Sequence, residues 1–194
     1  MSGTRPGEDA APLLRDFVNT LDIDSATDEL TTPSRLAAWL AGRGLVPPRA
    51  TAREADLVRG IALREGLRAA MIAHHGPPPV QEVLPDDLED ALAALPLRIT
   101  FTGTRPALVP LDAPGTAGVS AGLARIAAAI MDAAAAGTWP RLKVCQEDTC
   151  RWAFLDTSKN RSRSWCSMSV CGNRTKTRAY RARRRPPAGR APAG

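Results

Sequence analysis

Val144-Cys145-Gln146-Glu147-Asp148-Thr149-Cys150 and Trp165-Cys166-Ser167-Met168-Ser169-Val170-Cys171-Gly172-Asn173-Arg174 hold all four cysteines of the 194-residue chain. Each pair has four residues between its cysteines, a spacing that a tight turn closes so that both sulfurs point the same way. Four thiolates converging tetrahedrally make a closed structural site for one Zn2+. The fifteen residues between the pairs suffice for a strand, a turn and a return. Trp152 and Phe154 alternate with Arg151 and Ala153, so 151–155 reads as a strand, and Asp156-Thr157-Ser158-Lys159-Asn160 as the turn. The apolar content here is little more than Val144, Trp152, Phe154, Leu155, Trp165, Met168 and Val170. About forty residues with that core need a staple, and zinc supplies on the order of 10 kcal/mol or more in small fingers. Two disulfides, an iron site and a redox-switched zinc site are the alternatives; the chain has no export signal that would favour disulfides. Without the metal, residues 143–185 are expected to unfold while the rest of the chain stays folded.

Charge divides the chain at the same place. Residues 139–194 hold 14 of the 26 Lys/Arg and 3 of the 20 Asp/Glu, a balance of +11, whereas residues 1–138 stand at −5. Lys159, Asn160, Arg161 and Arg163 lie in the loop between the cysteine pairs. Beyond Cys171 a helix over 172–185 sets Arg174, Arg178, Arg181 and Arg185 in one stripe, with Lys176, Tyr180 and Arg183 on a neighbouring face. Like charges four residues apart repel on a helix, and a phosphate backbone relieves that repulsion. Six to ten phosphate contacts would make affinity fall about a thousandfold or more between 50 and 200 mM salt. A merely solubilising tail would not need a metal scaffold.

The remainder reads as a mainly helical domain with one hairpin, so the fold class is α+β. Leu13, Leu14, Phe17, Val18 and Leu21 define an amphipathic helix over 10–21. Thr32-Pro33-Ser34 caps a second helix carrying Leu36, Trp39 and Leu40, which Gly42 or Gly44 ends. Thr51-Ala52-Arg53-Glu54 has capping-box spacing, and the helix 52–74 after it would bury Leu57, Val58, Ile61, Leu67 and Met71 before Gly76-Pro77-Pro78-Pro79 stops it. His74 and His75 read as a solvated helix end, and Asp86 to Leu95 as a short acidic helix. Leu97, Ile99 and Phe101 alternate with Arg98, Thr100 and Thr102 as a strand paired with 107–111. A last small-residue helix runs from Thr116 to Ala136 and stops at Gly137. The expected organisation is a disordered leader 1–9, a helical domain 10–138, the zinc module 139–185 and a disordered tail 186–194. No run approaches the roughly 20 apolar residues of a membrane span. No nucleophile, base or open metal position suggests an enzyme.

Val144-Cys145, Cys150-Arg151-Trp152-Ala153-Phe154-Leu155-Asp156, Ser158-Lys159-Asn160, Ser162-Arg163, Trp165-Cys166-Ser167-Met168 and Cys171-Gly172-Asn173-Arg174 resemble the CGNR zinc finger family over about 143–185. Asp16-Phe17-Val18-Asn19-Thr20, Trp39-Leu40 and Leu63-Arg64-Glu65-Gly66-Leu67-Arg68 are similar to the ABATE domain that precedes this finger. The resemblance implies a bacterial, cytoplasmic, stress-responsive transcription regulator, with the finger on DNA and the helical domain sensing a ligand. It implies Cys145, Cys150, Cys166 and Cys171 as ligands and Lys159, Asn160, Arg163, Asn173 and Arg174 as nucleic-acid contacts, joined by Arg161, Lys176, Arg178 and Arg181 on charge. Asn can pair with adenine and Arg with guanine. Trp152, Phe154 and Trp165 read as packing, Gly172 as a close approach to the metal, and Asn19 and Thr20 as a helix cap or the lining of a small-molecule site. The expected partner is duplex DNA, bound by a monomer or homodimer. Structured RNA and thiol-based redox sensing are the rivals.

Overall fold

A computed structural model describes residues 10–76, 85–111 and 118–184. The leader, the stop at Pro77-Pro78-Pro79, the helix start at Thr116, Arg185 and the tail from Pro186 lie outside the described residues.

Helix α1 (Ala10–Val18) buries Leu14, Phe17 and Val18. It stops short of Leu21 because the Thr20 hydroxyl donates to the Phe17 carbonyl at 2.8 Å, taking an acceptor that a continuing helix needs. A small antiparallel ribbon follows, β1 (Leu21–Asp22) with β2 (Thr27–Asp28), which the periodicity does not signal. Helix α2 (Pro33–Gly42) starts as expected: Thr32 Oγ1 accepts from the Arg35 N–H at 3.3 Å and Pro33 occupies the first turn. Gly44, at φ +68°, closes its end with an N–H bond to the Ala41 carbonyl.

Helix α3 (Glu54–Ala73) begins two residues later than expected. Arg53 is its cap, and the Asp56 carboxylate accepts from the Arg53 N–H at 2.9 Å, so the reciprocal acid is Asp56 and not Glu54. Val58 points outward, 61% exposed, while Leu63, Arg64 and Arg68 point inward. Helix α4 (Asp86–Ala93) packs on α3 where Gly66 stands opposite Leu88; a Cβ on Gly66 would lie 2.6 Å from that side chain. The hairpin β3 (Leu97–Thr102) with β4 (Arg105–Pro110) runs in register from Leu97 opposite Pro110 to Thr102 opposite Arg105. Its β4 strand lies against α5 (Val119–Ala135), while Ile99 and Phe101 remain exposed. Gly137, at φ +69°, ends α5 as expected.

The chain then forms β5 (Leu142–Val144) and β6 (Ala153–Leu155), antiparallel with Lys143 opposite Phe154. After a wide helical turn, Met168–Gly172, comes α6 (Asn173–Arg184). One apolar core runs from Leu14, Phe17, Leu63, Leu67, Met71, Leu123 and Ile126 into Leu142, Val144 and Ala153. The ribbon that carries the first cysteine pair is therefore part of the helical core. The expected independence of 143–185 is corrected on this point: the ribbon has apolar partners besides the metal.

Candidate metal centre and nucleic-acid interface

The β5–β6 ladder continues past Val144, where the Cys145 N–H donates to the Trp152 carbonyl at 2.9 Å. Between them the chain folds into a knuckle: the N–H groups of Cys150 and Arg151 both donate to the Glu147 carbonyl, and Arg151 takes the left-handed conformation at φ +52° to reverse direction. The Gln146 N–H reaches the Ser164 carbonyl at 3.0 Å, which brings in the segment bearing Cys166. Cys171 arrives on the wide turn, whose Ser167 side chain accepts from the Val170 N–H. A Cβ on Gly172 would lie 2.5 Å from the sulfur of Met168, a flexible side chain that is 58% exposed.

These devices place the four Sγ atoms within 4.8 Å of one another. The Cys150–Cys166 and Cys166–Cys171 separations are 3.7 Å each. Zinc–sulfur bonds of about 2.3 Å put tetrahedral sulfurs about 3.8 Å apart, so the cluster fits one zinc ion. All four thiols are free of disulfides. Burial pushes the Cys150 thiol up to about 11, with the Cys145 sulfur adding to it, and burial likewise raises Cys166 far above its ordinary range. Four thiolates this close need a cation to ionise together. Trp152 and Trp165 pack against the sulfurs, and Phe154 is buried, so these aromatics serve the module's core as expected.

A second buried acid shapes the loop after β6. Asp156 accepts from the Ser158 N–H and hydroxyl, the Arg163 N–H and the Lys143 ammonium, all at 2.6–3.0 Å. Burial opposes its ionisation, but hydrogen bonds from Ser158 and Lys143 outweigh that and hold its carboxyl far below the usual range. This closes the 156–163 loop, leaving Lys159, Asn160 and Arg161 exposed. Arg163 is half-buried: its guanidinium donates to the Cys166 carbonyl and lies over the Phe154 ring.

Helix α6 is fixed by Glu147, whose side chain is fully buried. It accepts from the Thr175 hydroxyl at 2.8 Å and from Arg178 at 2.5 Å. Arg174 forks onto Asp24, at 2.9 and 3.3 Å, in the β1–β2 turn. The expected stripe is thus divided. Arg174 and Arg178 face carboxylates, whereas Arg181 on the same stripe is exposed with no carboxylate at hand among the described residues, and Asn173, Lys176, Thr177 and Arg183 are exposed around the rest of the helix. A groove of about 440 Å³ is lined by Val170, Asn173, Arg174, Thr177, Arg178 and Arg181.

Asn19, His74 and His75 bind the helical domain to the zinc ribbon, whereas Thr20 bonds only within the helical domain. The Asn19 amide donates to the Ala153 carbonyl at 2.9 Å and accepts from its N–H at 2.7 Å, acting as a strand partner for β6. Thr20 accepts from Arg64 at 3.3 Å. The expectation of solvated histidines is corrected: His74 Nδ1–H donates to the Leu142 carbonyl and His75 Nε2–H to that of Val144, capping the free edge of β5. Burial lowers His75, favouring the neutral ring this bond uses. Arg68, 5% exposed, donates to the carbonyls of Val18, Leu21 and Arg151.

Arg64 holds the β1–β2 turn by donating to both oxygens of Asp28, at 2.7 and 3.1 Å. Burial works against the Asp28 carboxylate, but Arg64 prevails and holds it below the ordinary value. Its stabilisation is therefore complete above pH about 4, the unfolded value, and is lost as pH falls through the lower folded value. Asp28→Asn should cost about 2 kcal/mol at pH 7 by leaving a buried guanidinium short of its partner. Urea titrations should show the gap to wild type closing toward pH 3; a pH-independent gap would contradict the pairing.

With the geometry in place, the comparisons are specific. Residues 11–137 match the ABATE family, described as "Putative stress-induced transcription regulator", and residues 141–184 match the CGNR zinc finger. Comparison with curated proteins finds no match. The chain belongs to the ABATE family and ends its described residues in a CGNR finger, whose four cysteines hold one zinc ion. It is a zinc-binding regulatory protein. No helix among the described residues is long and apolar enough to cross a membrane.

Proposed function

We propose that the protein is a zinc-dependent, duplex-DNA-binding transcription regulator whose helical domain responds to stress or to a ligand. The observation that carries this reading is the exposed cationic surface of α6, held to a zinc knuckle by buried Glu147, together with the exposed Lys159, Asn160 and Arg161 of the same module. Phosphate contacts from Lys176, Arg181 and Arg183 would supply affinity, and Asn173 at the first turn would supply base contact. The reading is of a binding protein rather than an enzyme, since four thiolates leave zinc no open coordination position.

Selection of bound fragments from random duplex DNA, with and without a chelator, tests it. A recovered motif that vanishes on chelation is the expected result, and a two-fold symmetric motif would indicate a homodimer. Enrichment that survives chelation, or preference for structured RNA at matched salt, would overturn it.

A further inference from the structure

The β1–β2 ribbon and its flanks, Leu21 to Glu29, carry Asp22, Asp24, Asp28 and Glu29 and no Lys or Arg. The roots of this acidic turn are fixed on the helical domain. Asp28 pairs with Arg64, the Leu21 carbonyl accepts from Arg68, and the Glu29 N–H donates to the Thr20 carbonyl. Its tip is shaped by Asp22, whose carboxylate accepts from the N–H groups of Asp24 and Ser25. The remaining carboxylate, that of Asp24, projects onto α6 and receives the Arg174 fork, while the same guanidinium donates to Thr149 at 3.1 Å.

A guanidinium forked onto a carboxylate has the geometry it would adopt on a phosphate. The two paired arginines of α6 differ in one respect that matters. Arg178 is itself 53% exposed, but its partner Glu147 is fully buried and also holds Thr175, so this carboxylate is part of the scaffold and cannot be withdrawn. Arg174 and Asp24 are 36% and 49% exposed, so water and other anions reach both partners. An exposed pair of this kind is weak enough to be exchanged.

Resting on the nucleic-acid reading above, we propose that Asp24 is a built-in competitor for phosphate at Arg174: binding swaps the carboxylate for a phosphate, and any event in the helical domain that withdraws the β1–β2 turn strengthens binding. The acidic turn then acts as an electrostatic latch between the two family segments. Arg174 is silent while latched and becomes a phosphate contact when released.

The test uses full-length, zinc-loaded protein and a random-sequence 20-base-pair duplex, with affinity measured from 50 to 200 mM salt. Asp24→Asn, and Asp24→Ser as a second variant, should tighten binding by about two- to fivefold, the size of an exposed pair, with the log-affinity against log-salt slope unchanged. Arg174→Ala should weaken binding and lower the magnitude of that slope by about 0.9, one phosphate contact. Asp24→Asn in the Arg174→Ala background should then give no gain. Zinc content and melting temperature of each variant verify that the scaffold is intact. If wild type binds and the Asp24 variants do not tighten, or tighten equally without Arg174, the latch is overturned and the function stands. If wild type binds neither duplex DNA nor RNA, the nucleic-acid reading fails and takes the latch with it.

Discussion

Replacing Cys150 by Ser should abolish retention of zinc and separate the finger into a part that melts and a part that stays. Cys150 lies 3.7 Å from Cys166, at the point where the first knuckle meets the third chain segment. Three thiolates and a hydroxyl bind zinc far more weakly than four thiolates, and structural zinc contributes about 10–16 kcal/mol in isolated finger peptides. Here β5 and β6 also have apolar partners on α1 and α3. Amide exchange should therefore rise throughout 156–184 yet remain slow at 142–144 and 153–155 and in the helices around Leu63 and Ile126. Metal analysis after dialysis, combined with exchange mapping, reads both halves of the expectation. Zinc retained at one equivalent would refute the ligand assignment. Loss of protection in β5 and β6 together with α6 would show that the ribbon depends on the metal after all.

The zinc site is legible because each pair of donors is spaced covalently: a C-x4-C turn presents two sulfurs from local sequence alone, and two such turns fifteen residues apart can share one ion. The helices of the body were legible for a similar reason, since Leu14 and Phe17 or Leu63 and Leu67 recur at helical spacing. Charged residues that point inward were not. Hydrophobic periodicity places Val58 in the core and assigns the guanidinium groups of Arg64 and Arg68 to solvent, the reverse of the fold. Yet Leu63-Arg64-Glu65-Gly66-Leu67-Arg68 sets two arginines four apart beside buried leucines, and Lys143 sits between Leu142 and Val144; both patterns point to a buried cation with a distant acceptor. Nothing local marks His74 and His75 as donors to the ribbon, since their acceptors are carbonyls 68 and 69 residues away. The pairing of Arg174 and Arg178 has the same origin. Their place on one helical stripe is local information, whereas Asp24 and Glu147 reach them only through the tertiary fold.

Arg68→Met should destabilise the whole chain, not just the finger, by about 3–5 kcal/mol. Methionine can fill the space of the aliphatic stem, so the loss isolates the polar function. The Arg68 guanidinium satisfies the carbonyls of Val18 at the end of α1, Leu21 in β1 and Arg151 in the knuckle, and it donates to Glu65 at 3.1 Å. Without it, three main-chain acceptors drawn from three segments lose a donor at one buried point, each at about 1–3 kcal/mol when no water replaces it. For a chain of this length each kcal/mol lowers the melting temperature by about 2–4 °C, so a fall on the order of 10 °C is expected. Arg35→Met, on the exposed side of α2, should stay within about 0.5 kcal/mol and serves as the control. Because the Arg151 carbonyl belongs to the knuckle, zinc release on chelator challenge should also quicken in Arg68→Met. Arg68→Lys, able to reach fewer acceptors, should fall between. A melting temperature within 2 °C of wild type for Arg68→Met would mean that water satisfies these carbonyls and that the join between body and finger rests on the shared apolar core alone.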